Sequence, residues 1–198
     1  MRSIRWLRTG ATVHASARVH PSACLAPGAV VQARAYVGPG CVLGPNAVVG
    51  TGVSVGQGTS VGPNVTLQHC VIGARCTLHA GVHVGADGFG FLPGAPGGRD
   101  GADGDSPSAG SLHDRGLGIV LPGDSLPVKK PQLLQVILGQ DVEVGAGSCI
   151  DRGSWRNTVV GDHTKLDNLV QVYYIWFISM YVCIQTFSSW WRQSDSTF

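Results

Sequence analysis

The sequence predicts an all-β fold, a parallel β-helix wound from hexapeptide repeats in about five turns. Three observations predict it. An aliphatic residue recurs every sixth position from Val13 to Leu67, through Val19, Leu25, Val31, Val37, Leu43, Val49, Val55 and Val61. Four places after each stands a small or modest residue: Ala17, Ala23, Ala29, Ala35, Cys41, Ala47, Val53, Thr59, Val65 and Val71. Glycine makes up 29 of 198 residues, and with proline it weighs against long helices.

A period of six fits neither the helical 3.6 nor simple alternation. It fits a coil with short flat sides and one corner per hexad, three sides to a turn, each turn stacked on the next by parallel ladder bonds. The aliphatic residue points inward, and the small residue follows where two sides converge. Gly38, Gly44, Gly50, Gly56 and Gly62, each just after an aliphatic, are expected to supply corner angles with positive φ. After a one-residue contraction the pattern resumes at Ile72, Leu78 and Val84, then returns at Leu138, Val144 and Ile150, and, after a four-residue offset, at Val160, Leu166 and Val172.

These landmarks divide the chain into an N-terminal segment (1–12), coil (13–91), insertion (92–128), coil (129–172) and tail (173–198). The insertion holds nine Gly and five Pro in 37 positions, too little apolar content to offset chain ordering, and is expected to be a disordered, mobile loop. The tail has no Gly, Ala or Pro and nine aromatic residues. Its apolar run, 172–187, is shorter than the roughly 20 residues a bilayer span needs, so a membrane anchor is the lesser reading.

Charge excludes some functions. The net charge of +2 does not mark a nucleic-acid binder. Arg2, Arg5, Arg8, Arg18, Arg34 and Arg75 precede any acid, the first being Asp87, but they are scattered and form no basic face. Six cysteines show no CxxC spacing; Cys41 and Cys76 fall on the inward small position and read as core filler. His14, His20 and His79 share the hexad position after the aliphatic, with His83 nearby; they read as exposed corner residues, and no metal is expected.

Hexads define a coil and leave its chemistry open. Four non-repeating motifs occur in order: Gly85-Ala-Asp-Gly-Phe-Gly-Phe91, Lys129-Lys-Pro-Gln132, Ile150-Asp-Arg-Gly153 and Leu166-Asp-Asn-Leu-Val-Gln171. This succession resembles the UDP-3-O-acylglucosamine N-acyltransferases of lipid A biosynthesis, over about 13–91 and 129–172. The resemblance implies a left-handed β-helix, a homotrimer with sites in grooves between neighbours, and transfer of a 3-hydroxyacyl group from acyl carrier protein to the 2-amine of a UDP-linked acylglucosamine. No cofactor is implied. It also implies cytoplasmic location if bacterial and mitochondrial if eukaryotic; Arg2, Arg5 and Arg8 lean towards the latter.

In the family a His in an Ile-Ala-His-Asn motif follows the last of these segments and serves as base. Tyr174 stands at that position. A phenol, with a pKa near 10, is a poor base at neutral pH. The resemblance makes Asp167 the residue supporting that His, and Asn168, Gln171, Asp87 and Phe89 substrate-binding residues. The family also carries an N-terminal nucleotide-gripping domain and further C-terminal coil and helices, so the chain reads as a truncated member, inactive as it stands. The alternative is a non-catalytic coil that assembles with a full-length homologue.

Overall fold

The computed structural model describes residues 10–92, 128–173 and 183–184. The chain divides into a coil unit, Met1–Gly88 with Gln132–Phe198, and a small unit, Phe89–Pro131. All the regular elements among the described residues are strands.

Three parallel sheets form the coil. The first face stacks Thr12–Val13, Val30–Val31, Val48–Val49, Thr66–Leu67, His83–Ala86, Cys149–Asp151 and Gln171–Val172. The second runs from Arg18–Val19 through Tyr36–Val37, Ser54–Val55, Cys70–Ile72 and Val136–Leu138 to Thr158–Val160. The third runs from Cys24–Leu25 through Val42–Leu43, Ser60–Val61, Thr77–Leu78, Glu143–Val144 and Lys165–Leu166 to Cys183–Ile184. The coil therefore makes about seven turns, not five: every aliphatic position from Val13 to Val172 seats a strand of its own, and Cys183–Ile184 adds another.

The aliphatic residues from Leu25 to Val172 fill the interior and are almost wholly buried. Burying each contributes roughly 1.5–3 kcal/mol, which offsets the cost of ordering so many two-residue strands. Cys41 and Cys76 lie among them, with Sγ on Gly56 O (2.9 Å) and Gly139 O (3.1 Å). Polar residues inside have partners too: Thr59 Oγ1 donates to Gly73 O, and Ser148 Oγ to Asp167 O, each at 2.9 Å.

Two details of the hexad differ from expectation. The left-handed corner residue is the third after the aliphatic at Gly40, Gly52, Gly58, Asn46, Asn64 and Arg75, and of the glycines just after an aliphatic, Gly85 has a positive φ whereas Gly38, Gly44, Gly50, Gly56 and Gly62 do not. The glycines just after the aliphatic serve close stacking instead: a Cβ on Gly44 would lie 2.7 Å from Gly62 C and Pro63 N of the next turn. Val71, expected to point inward, is exposed; the shortened corner, with His69 at φ 44°, starts the strand one residue early and sends Cys70 inward.

In the small unit, Phe91–Leu92 pairs antiparallel with Val128–Lys129, and Lys130 N donates to Gly90 O at 2.9 Å. Residues 93–127, with the loop expected there, and the tail beyond Tyr173 apart from Cys183–Ile184, with the membrane reading, lie outside the described residues.

Candidate functional site

The four motifs converge. Gly88, of the first, is gripped at both ends by Gln132, of the second: Gly88 N donates to Oε1 at 2.7 Å, and Nε2 donates to Gly88 O at 2.9 Å. Gln132 is fully buried, so its amide replaces the backbone partner that water cannot supply. Asp87 Oδ1 accepts from Nε of Arg152, in the third motif, at 2.7 Å. Its neighbour Asp151, 5% exposed, accepts at Oδ2 from Gln171 Nε2 of the fourth motif at 3.0 Å. Parallel register explains the meeting, because Ala86 pairs with Asp151 and Cys149 with Gln171 on successive turns of the first face. A Cβ on Gly88 would come within 2.9 Å of Asp151 Oδ2, so a larger residue there would have to displace the Asp151 carboxylate.

A second cluster lies at the corner that ends the third face. A cavity of about 500 Å³ is lined by His79, Glu143, Gly145, Ala146, Lys165, Leu166, Asp167 and Asn168. Glu143 sits between His79 Nε2 (2.9 Å) and Lys165 Nζ (3.3 Å). The hydrogen bond from His79, and then that from Lys165, hold its carboxyl below the usual range. Asp167 Oδ1 accepts from Asn168 N at 2.8 Å, and Asn168 Oδ1 accepts from Ala146 N of the turn before at 2.7 Å. The Asn168 side chain thus stitches two turns together.

The expected site residues are divided between these places. Asp87 and Gln171 belong to the motif network, whereas Asp167 and Asn168 line the cavity. Phe89 belongs to the small unit, where it is exposed and meets Phe91 edge-to-face at 5.0 Å. Tyr174 lies outside the described residues. His14, His20 and His79 follow strands of three different faces, so the shared hexad position is not one column in space. His14 and His20 meet Ser16 and Ser22 at 2.9 and 2.8 Å. Among the described residues no three His, Cys, Asp or Glu side chains gather as metal ligands would.

Sequence reasoning passed over Asp151, Arg152 and Gln132, although all three stand inside quoted motifs. It also passed over Glu143 and Lys165, whose signal is their register: each precedes the inward aliphatic of its strand, and the two pair across successive turns.

Residues 34–69 match the family model for the bacterial transferase hexapeptide (six repeats), and 68–87 match that for the hexapeptide repeat of succinyl-transferase. The coil is a β-solenoid of hexapeptide repeats. Among relatives, the chain is 42% identical over 109 residues to the probable UDP-3-O-acylglucosamine N-acyltransferase 2, mitochondrial, of Arabidopsis thaliana, covering 55% of this chain and 27% of that protein. It is 43% identical over 108 residues to the UDP-3-O-acylglucosamine N-acyltransferase of Azorhizobium caulinodans, covering 54% and 22%. About half of the chain is therefore homologous to UDP-3-O-acylglucosamine N-acyltransferases, as the four motifs imply, and the chain spans about a quarter of those relatives' length. A solved UDP-N-acetylglucosamine acyltransferase of Francisella novicida is 19% identical, with a TM-score of 0.45 over 87% of this chain and 47% of that one.

Proposed function

We propose that the chain is an N-acyltransferase of the UDP-3-O-acylglucosamine type that keeps an acceptor site and has lost turnover. In the reaction the acceptor 2-amine attacks the thioester carbonyl of 3-hydroxyacyl carrier protein, a base takes the amine proton, and the carrier thiol leaves. Backbone N–H groups can steady the oxyanion. The reading includes a homotrimer, with grooves between neighbours, and Asp167 as the support of a base that this chain replaces with Tyr174.

The observation that carries the reading is the convergence of the four motifs. A solenoid needs only its inward residues to wind; it does not need a glycine clamped by a distant glutamine, or two carboxylates held by Arg152 and Gln171. Sequence-distant polar groups that meet in one network fit a retained ligand site.

The test incubates the purified chain with 3-hydroxyacyl carrier protein and UDP-3-O-acylglucosamine. Calorimetry follows binding, and mass spectrometry follows the N-acylated product. Acceptor binding without product is expected. Sustained product formation would overturn the loss of turnover, and absence of acceptor binding would overturn the acceptor site. If the chain instead assembles with a full-length homologue, co-expression will return mixed oligomers.

A further inference from the structure

We infer that His79 and Glu143 form a general-base pair at the cavity that ends the third face, and that the pair hydrolyses activated carboxylic esters. The inference goes beyond the acceptor reading above and does not depend on it.

Parallel register builds the pair. Leu78, Val144 and Leu166 stack on three successive turns, so His79, Gly145 and Asp167, each one place further on, stack as well. Glu143 stands just before Val144 on the middle turn and reaches across to His79, whose Nε2 meets its Oε1 at 2.9 Å. Both side chains keep contact with solvent, and the cavity of about 500 Å³ lies against them. Ligand pockets are commonly of this size.

The carboxylate decides where the ring proton sits. The hydrogen bond from His79, and then that from Lys165, favour the ionised form of Glu143, and an ionised carboxylate only accepts. Nε2 of neutral His79 therefore carries the proton. Nδ1 keeps a lone pair that meets no partner among the described residues. A carboxylate so placed fixes the imidazole tautomer and steadies the imidazolium that forms on proton uptake.

Donors line the same cavity. Asn168 Oδ1 accepts from Ala146 N, and its Nδ2 has no partner among the described residues. Lys165 Nζ reaches Glu143 Oε2 at 3.3 Å and Asp141 O at 3.2 Å, which leaves one of its three N–H donors. Glu143 and Asp167 outnumber Lys165 in the lining, which disfavours a phosphate ester and admits a neutral carboxylic ester. In the step, a water oxygen bonds to the ester carbonyl carbon as its proton passes to Nδ1. Asn168 Nδ2 and the Lys165 ammonium supply donors for the oxyanion. The carbonyl then re-forms, the bond to the leaving oxygen breaks, and the imidazolium returns the proton to that oxygen.

Steady-state hydrolysis of p-nitrophenyl acetate by the full chain tests this, with His79→Gln, Glu143→Gln and His14→Gln compared with wild type. His79→Gln is expected to lower kcat about a hundredfold, the low end of what a placed base supplies. Glu143→Gln should lower kcat at unchanged KM, because an amide can donate to Nε2 and move the ring proton onto Nδ1. His14, an exposed imidazole held by Ser16 elsewhere on the coil, is the control, and His14→Gln should match wild type. Wild-type turnover should slow in deuterium oxide, because the proton moves as water attacks. Urea midpoints report the folding of each variant. If Glu143→Gln does not fold, His79→Gln and the deuterium effect carry the test. Hydrolysis no faster than buffer, or His79→Gln as fast as His14→Gln, overturns the inference. Turnover indifferent to deuterium overturns it too, since the imidazole would then attack the ester directly. Acceptor binding is measured separately, so either reading can fail without the other.

Discussion

Gly56→Ala and Gly52→Ala separate the two uses of glycine in the hexad. On Gly56 an added Cβ would lie 2.6 Å from the carbonyl carbon and oxygen of Gly73 and 2.7 Å from Ala74 N, all backbone atoms of the next turn. Carbon contacts settle near 3.5–4.0 Å, so the two turns must part by about 1 Å. That stretches the bond from Gly56 N to Ile72 O, now 2.9 Å. Overpacking of this kind costs about 1–3 kcal/mol, and a weakened backbone bond adds about 1, for a loss of about 2–4 kcal/mol. Gly52 is different: its φ is +70° and no atom lies within 4 Å of the added Cβ. Alanine there meets only the left-handed penalty of about 1–2 kcal/mol, partly offset by a stiffer unfolded chain. Gly52→Asn should be nearly neutral, since Asn46 and Asn64 hold the same hexad place at φ 56°. Urea unfolding followed by far-UV circular dichroism gives all three values. A Gly56→Ala protein as stable as wild type, or one less affected than Gly52→Ala, would refute the stacking argument.

Three further outcomes follow from the same geometry. Gln132→Met removes both partners of the Gly88 peptide and should cost about 2–3 kcal/mol in urea unfolding; a loss below half of that would mean water replaces the amide. Asp141 is held below the usual carboxylate range first by hydrogen bonding from Arg75, whose Nε and Nη2 reach it at 2.7 Å, and Glu143 first by His79. Groups depressed in this way contribute stability above their unfolded pKa, about 4, and lose it as pH falls through the folded value. The urea midpoint should therefore drop below about pH 4, and less steeply in Asp141→Asn; parallel profiles would contradict the assignment. Burial pushes the Cys70 thiol up to about 12, and it raises those of Cys41 and Cys76. At pH 8 these three should resist alkylation until the protein unfolds, as mapped by peptide mass spectrometry; prompt labelling in the folded chain would show an open coil.

The coil was legible because its inward residues obey a strict spacing that burial enforces. Leu25, Leu43, Leu67 and Val61 must be apolar wherever the turns stack, so the period survives whatever the outer residues are. Corner detail was less legible. Both the residue after the aliphatic and the residue three after it are often glycine, for two unrelated reasons, and composition does not separate a positive φ at Gly52 from a backbone approach at Gly56. The inward place at Cys70 was misjudged for a related reason: a corner shortened by one residue resets the alternation, and nothing in Cys70-Val71-Ile72 says which end of the strand absorbs the change.

The site was legible as motifs and not as geometry. Asp87 and Gln171 stand far apart in sequence, and what joins them is a parity effect: Asp151 extends its strand by one residue beyond Ile150, past an irregularity between Val84 and Ala86. That added residue places Asp151 beside Ala86 and within reach of Gln171, while Arg152 turns to Asp87. Asp167 and Asn168, although part of the same motif as Gln171, fall before the corner and so face the cavity with Glu143 and Lys165. Short faces separated by sharp corners send neighbours in sequence to different surfaces, so a motif in such a coil supplies groups to two sites at once. Function in this fold is therefore read from stacking across turns, where Asp87, Arg152, Asp151 and Gln171 meet, rather than from runs along the chain.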